Sequence, residues 1–294
     1  MSRIFDALRK SEQDRAGSAS PVASAVMTAP HKAETEAQGP FVVPDQVPAI
    51  HPGAANGFPG ETGDIGAETF SILHHRLELI RRRRQLQKLL VTSAVPKEGK
   101  TTVSCRLAAA LARGSARVLL VDADLRHPGV HRAPGIAPLK GVADWLEHRE
   151  GLPHVLRRVE PGGFFYLPAG EARSNPGELL RQPALAEFLT ATAATFDWVI
   201  VDSPPLVPFV DAHHLATLVD GVLVVLRCGV TPRPALDQVF GSLERVFVAG
   251  AILNGARDKN QGYYQYYGRE RGERTRAAIP PATQASTAGV SLHD

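Results

Sequence analysis

Cysteine is nearly absent from these 294 residues: Cys105 and Cys228 stand alone, in neither a CxxC nor any other paired spacing. Two isolated thiols in so long a chain suit a reducing compartment, and each reads as a small apolar residue. Long apolar runs are missing too. No stretch approaches the roughly 18 residues of a membrane span, and MSRIFDALRK lacks the apolar core of a signal peptide, so the expected location is the cytoplasm. Charge of one sign does not dominate either. Thirty-three Lys and Arg against 30 Asp and Glu leave a formal +3, and no nucleic-acid partner is expected. The histidines include the adjacent pairs His74–His75 and His213–His214, which is not a metal-ligand spacing. What is present is ordinary globular composition, 44% hydrophobic and 21% charged, enough for one large domain or two small ones.

The 23 prolines gather toward the two ends, which marks those ends as tails. Residues 1–15 place Ile4, Phe5 and Leu8 on one face of a short amphipathic helix, with Arg3, Arg9, Lys10 and Asp14 around it. Three apolar residues bury too little to hold that helix alone, so it docks or frays. From 16 to 67 the chain is Ala, Pro, Gly, Ser and Thr without apolar periodicity, and is expected to be a disordered linker. Helical spacing resumes at Glu68 with Phe70, Leu73, Leu77 and Ile80 on one face, then runs into four consecutive arginines, Arg81 to Arg84. Those arginines read either as a solvated helix end or as a contact for acidic protein or anionic lipid. From 68 to 257 apolar strands alternate with helical stretches. That pattern implies an α/β domain with a doubly wound, mostly parallel sheet. The tail, 258–294, carries four of the chain's five tyrosines, Tyr263, Tyr264, Tyr266 and Tyr267, between Gly262 and Gly268. They read as clustered hydroxyl acceptors, with an aromatic edge strand or a low-complexity patch as the alternative.

The densest chemistry lies in LLVTSAVPKEGKTT, residues 89–102. A short apolar strand stops at a loop ending in Gly-Lys-Thr, and an Ala- and Leu-rich helix follows until Gly114. This is the order of a phosphate-binding loop, in which backbone N–H groups and a lysine hold phosphates and a hydroxyl holds Mg²⁺. Lys100 and Thr101 take those roles. Ala94 replaces the first glycine of GxxxxGK[ST], and Gly99 remains. Two further apolar strands end in carboxylates: RVLLVDAD in Asp122 and Asp124, FDWVIVD in Asp202. Ligands gather at the carboxyl ends of parallel strands, so these acids point to the nucleotide edge. Asp202 reads as the carboxylate that orders Mg²⁺. Asp122 and Asp124 exceed what the metal needs, leaving one to accept a proton or to form a salt bridge.

These residues match a family. AVPKEGKTT, the DADLRHP of 122–128 and the DSPP of 202–205 resemble the Walker A, A′ and B motifs of the bacterial tyrosine kinases that control capsule and exopolysaccharide synthesis. GVADWL at 141–146, Gly170 followed by NPGELL at 175–180, and AILN ending at Asn254 also resemble that family, as does the tyrosine tail. The resemblance implies a P-loop fold of the MinD and ParA type and ATP with Mg²⁺ as cofactors. It implies a nucleotide site made of Pro96, Lys97, Glu98, Gly99, Lys100, Thr101, Thr102 and Asn254, the last facing adenine. Thr101, Asp124 and Asp202 would order the metal, Asp122 would be the base, and Lys100 and Asp124 would complete the catalytic set. The four tail tyrosines would be phosphorylated by neighbouring subunits. The implied partners are a membrane adaptor of polysaccharide export, other copies of the chain and tyrosine-phosphorylated proteins. The adaptor would recruit the chain to the inner face of the plasma membrane. Two positions depart from the pattern. Lys97 stands where the family loop has glycine, and Glu68, Ser71 and His74 stand where its ring-forming ExxRxxR is expected. Two other readings share these motifs: an ATPase switch of the MinD and ParA type, whose signature lysine would fall at Val95, and a non-kinase nucleotide-binding subunit of an exopolysaccharide or secretion assembly.

Overall fold

The computed structural model describes residues 41–51, 65–128 and 139–256, all within the unit Gly39–Asp294. In chain order the described elements begin with β1 (Ala49–Ile50), α1 (Ile65–Arg81), β2 (Lys88–Ser93), α2 (Lys100–Arg113) and β3 (Val118–Asp122). Two short helices follow, α3 (Val142–Leu146) and α4 (Leu152–Val155), then β4 (Arg157–Val159) and β5 (Phe164–Leu167). The remainder is α5 (Pro176–Leu180), α6 (Pro183–Thr192), β6 (Trp198–Asp202), α7 (Val210–Ala216), β7 (Gly221–Arg227), α8 (Arg233–Ser242) and β8 (Val248–Asn254). The strands form one sheet in the order β1-β4-β5-β3-β6-β2-β7-β8. Every neighbouring pair is parallel except β4 with β5.

The apolar strands are apolar throughout because both faces of the sheet are covered. Successive side chains of a strand point to opposite faces, and the two faces here meet different helices. Leu90, Leu119, Val121, Val199 and Val201 pack with Leu185, Phe188, Leu215 and Val239 on one side. Leu89, Val91, Leu120 and Ile200 pack with Leu77, Val103, Leu107 and Leu111 on the other. The strand order matters most for the site. β6 lies between β3 and β2, in register Asp122 with Asp202 and Val91 with Asp202, so the three strands that carry the loop and the acids end side by side.

Part of the expected linker is built into the domain. Phe41, Val43 and Val47 pack on the first core face, and Phe41 meets Phe188 edge-on with ring centroids 5.6 Å apart. β1 pairs with β4, and Arg158 N and Glu160 N donate to the carbonyls of Pro48 and Ile50, both at 2.9 Å. The segment is held by an edge of the sheet and not by its own periodicity, so composition averaged over 16–67 concealed it. The antiparallel β4 is likewise an addition to the expected parallel pattern. The helix expected over 1–15 and the tyrosines of the tail lie outside the described residues.

Candidate nucleotide site

The loop between β2 and α2 is held open by its neighbours. Gly99 caps α2 with φ 94°, and Val103 N donates to its carbonyl at 2.9 Å. A Cβ at Gly99 would come within 2.2 Å of Asn254 Nδ2, so only glycine fits there. Lys97 also has positive φ, 66°, without glycine's freedom. That conformation costs an ordinary side chain about 1–2 kcal/mol, and three contacts hold it. Arg227 donates to the Lys97 carbonyl at 3.0 Å, Asn254 Nδ2 donates to the Glu98 carbonyl at 2.9 Å, and the Thr231 hydroxyl donates to Glu98 Oε1. The Glu98 side chain is turned inward. It is buried, and its Oε2 accepts from Val95 N at 3.0 Å, so its carboxylate shapes the loop while Pro96 and Lys97 face outward.

Behind the loop the acids converge on one cation. Lys100 Nζ lies 3.1 Å from Asp124 Oδ2. Burial works to lower its pKa, but Asp202, Asp124 and Asp122 together raise it, so the ammonium stays charged. Asp202 is fully buried, and Ser104 donates to its Oδ1 at 3.0 Å. Burial pushes Asp202 up to about 6 and Asp124 adds to the rise, against the pull of Lys100 and of the Thr101 and Ser104 hydroxyls. Thr101 acts on this charge but closes no hydrogen bond of ordinary geometry with Oδ2, which is buried without a partner. Asp122 is fully buried as well. Its Oδ1 accepts from Asp124 N at 3.1 Å, and its Oδ2 faces the Tyr166 hydroxyl at 3.5 Å. Burial and the Asp122 charge hold the Tyr166 phenol well above its ordinary range, so it remains a neutral donor.

The residues expected at the site therefore meet at one sheet edge: the loop, Lys100, Thr101, Asp122, Asp124, Asp202 and Asn254. Asn254 touches the loop backbone itself. Sequence reasoning missed Ser104, the Thr231 and Arg227 contacts, and Tyr166. Ser104 sits one helical turn after Lys100 and donates to the Lys100 carbonyl as well as to Asp202, a spacing that the sequence does display. Among the described residues no group of three or more His, Cys, Asp or Glu side chains is arranged to hold a metal ion by itself. Mg²⁺ bound together with phosphates needs only one or two protein ligands and water. The orphaned Asp202 Oδ2 beside the Thr101 hydroxyl supplies the polar atoms such an ion would use. At the three positions where the resembled family's ExxRxxR is expected, Glu68 and Ser71 are exposed, while half-buried His74 lies 3.9 Å from Glu78.

Comparison with known proteins bears on the fold and the family. Residues 89–288 match the CobQ/CobB/MinD/ParA nucleotide binding domain. The tyrosine-protein kinase YwqD of Bacillus subtilis (strain 168) is 30% identical over 210 residues, covering 71% of this chain and 89% of that protein. The succinoglycan biosynthesis transport protein ExoP of Rhizobium meliloti (strain 1021) is 36% identical over 171 residues, which is 56% of this chain but only 22% of ExoP. Among solved structures, the kinase domain of the Escherichia coli tyrosine kinase ETK superposes with a TM-score of 0.63 at 31% identity, covering 66% of this chain and 76% of that one. Motifs, sheet order and relatives agree, and the chain belongs to the bacterial tyrosine-protein kinases built on the CobQ/CobB/MinD/ParA nucleotide-binding domain.

Proposed function

We propose that this chain is an ATP-dependent tyrosine autokinase that phosphorylates Tyr263, Tyr264, Tyr266 and Tyr267 of neighbouring copies and thereby regulates exopolysaccharide or capsule export. The observation that carries the reading is the convergence of three strand-end acids on Lys100, one oxygen of them unpartnered, in a chain whose tail holds four tyrosines. Lys100 exchanges its contact with Asp124 for the β- and γ-phosphates, and the loop amides from Lys97 to Thr102 take the phosphate oxygens. Thr101, Asp124 and Asp202 would hold Mg²⁺, which would supply charge neutralisation on the transferring phosphoryl group. Asp122 accepts the proton as the tyrosine oxygen forms its bond to the γ-phosphorus and the bond to ADP breaks. Asn254, which donates to the Glu98 carbonyl, would face the adenine. A membrane adaptor of the export machinery would bring the chain to the inner face of the plasma membrane, in keeping with ExoP being a transport protein.

The test is phosphotyrosine formation by purified protein with ATP and Mg²⁺, mapped by mass spectrometry. Wild type should modify the tail, Lys100→Met should bind ATP weakly and modify nothing, and a variant with all four tail tyrosines changed to phenylalanine should bind ATP normally without modification. ATP hydrolysis by wild type with no phosphotyrosine would overturn the reading in favour of a MinD-like ATPase switch.

A further inference from the structure

The four consecutive arginines take no part in the nucleotide site. They close α1 and enter the turn before β2, at the edge of the sheet where the parallel strands begin, opposite the edge where the acids lie. Residues 81–87 line a cleft of about 460 Å³. Two guanidinium groups there are fixed on aromatic rings: Arg84 Cζ lies 3.5 Å over Phe247 and Arg81 Cζ 5.0 Å over Trp198. Glu78 is 3.7 Å from Arg81 and also accepts from Trp198 Nε1. Gln87, the last residue of that lining, is also fixed: it donates its side-chain amide to the carbonyls of Ala193 and Phe196. Arg82 and Arg83 are exposed and have no ion pair among the described residues.

Such a cluster concentrates positive charge that the described chain neutralises only at Arg81. Its chemistry selects the anion. Arginine forks bind phosphate through paired hydrogen bonds and stack on flat rings, where lysine would act as a point charge. Arginine–ring stacking is already how this turn is built, which favours a phosphate carried on a flat ring. A phosphate attached to an aromatic ring fits both properties, and the tail offers four such rings within five residues.

We infer that the cleft of residues 81–87 binds phosphotyrosine in the tail of a second copy of this chain. The ligand's origin rests on the proposed kinase activity. A second copy is favoured by where the phosphate is added: in the proposed reaction a tail enters a neighbour's site, and that neighbour's arginine turn lies across the six residues of its β2, roughly 20 Å away. A tyrosine phosphorylated beside Asp122 and Asp124 is repelled there as a like charge and attracted to the arginine turn, so the cleft receives the product of the reaction.

The test uses synthetic peptides of residues 260–268, with and without phosphate on Tyr264, titrated into the full chain. Because the phosphate is supplied by synthesis, the result is independent of whether the chain is itself a kinase. The phosphopeptide should bind at least about tenfold more tightly than the plain peptide and weaken with salt. Arg82→Ala with Arg83→Ala should remove that advantage while leaving ATP binding and the circular dichroism spectrum unchanged, and Lys at both positions should restore it only in part. Equal binding of the two peptides, or phosphopeptide binding indifferent to the double variant, overturns the inference. So does binding to phosphatidylserine vesicles that the double variant abolishes while neither peptide binds, which would make the turn a membrane contact.

Discussion

Asp202→Asn should make the nucleotide-free protein more stable while disabling its site. In the unfolded chain this carboxyl titrates near 3.8 and in the fold near 6, because burial disfavours its charged form more than Lys100 and its hydroxyl partners favour it. Below pH 3.8 both states hold the proton and the group has no effect on stability. As pH rises, the unfolded chain releases its proton first, so native stability falls until about pH 6, above which the whole cost is present. At about 1.4 kcal/mol per pH unit, the difference amounts to roughly 3 kcal/mol. Asparagine keeps the acceptor for Ser104 and carries no charge. Lys100 loses one attraction but keeps Asp124 at 3.1 Å, which reduces the gain to roughly 1–2 kcal/mol, or about 2–8 °C in melting temperature for a domain of this size. Thermal and urea unfolding of both proteins, without nucleotide and across pH 4.5–7.5, measures it. The variant should be the more stable at pH 7.5, and the gap should close toward pH 4.5. A variant less stable at pH 7.5, or a gap that ignores pH, would refute the argument that burial of this charge opposes folding.

Two further substitutions probe the acids and the loop. Asp122→Asn should leave ATP·Mg²⁺ affinity within a fewfold of wild type and lower the rate of phosphotyrosine formation about 10²- to 10⁴-fold, read by single-turnover phosphorylation; equal rates would remove Asp122 from the role of base. Thr231→Val deprives the buried Glu98 Oε1 of its hydroxyl donor, a loss of about 1.5–3 kcal/mol for a hydrogen bond to a charged group, and should weaken nucleotide binding about tenfold or more by calorimetry, whereas unchanged affinity would show that Arg227 and Asn254 hold Lys97 and Glu98 without it.

The nucleotide edge was legible because its signals are local. A buried parallel strand reads as an apolar run wherever it occurs, and an acid that ends such a run has nowhere to go but the ligand edge. Lys100, Asp122, Asp124 and Asp202 all follow from that logic. Glu98 does not. Nothing adjacent to it distinguishes a carboxylate facing a ligand from one facing Thr231, a residue 133 positions away. β1 escaped notice because a two-residue strand whose hydrogen bonds run from Arg158 N to the Pro48 carbonyl and from Glu160 N to the Ile50 carbonyl needs no pattern of its own. The arginine run was visible, but the rings that hold Arg81 and Arg84, Trp198 and Phe247, come from far along the chain.

The placement of β6 between β3 and β2 has a consequence for how the protein is made. When a ribosome has released β2, α2 and β3, the chain already contains Lys100, Asp122 and Asp124, yet the two strands that present them are not each other's neighbours. The space between them belongs to Trp198–Asp202, which has still to be synthesised. Until it arrives, KLLVTS and VLLVD each offer an unpaired apolar edge, a template for pairing with other nascent chains. The last strand to enter the centre of the sheet also brings Asp202. Filling the gap between β3 and β2 and completing the set of acids are thus one event, and no N-terminal fragment that stops short of Trp198 holds all three acids around Lys100.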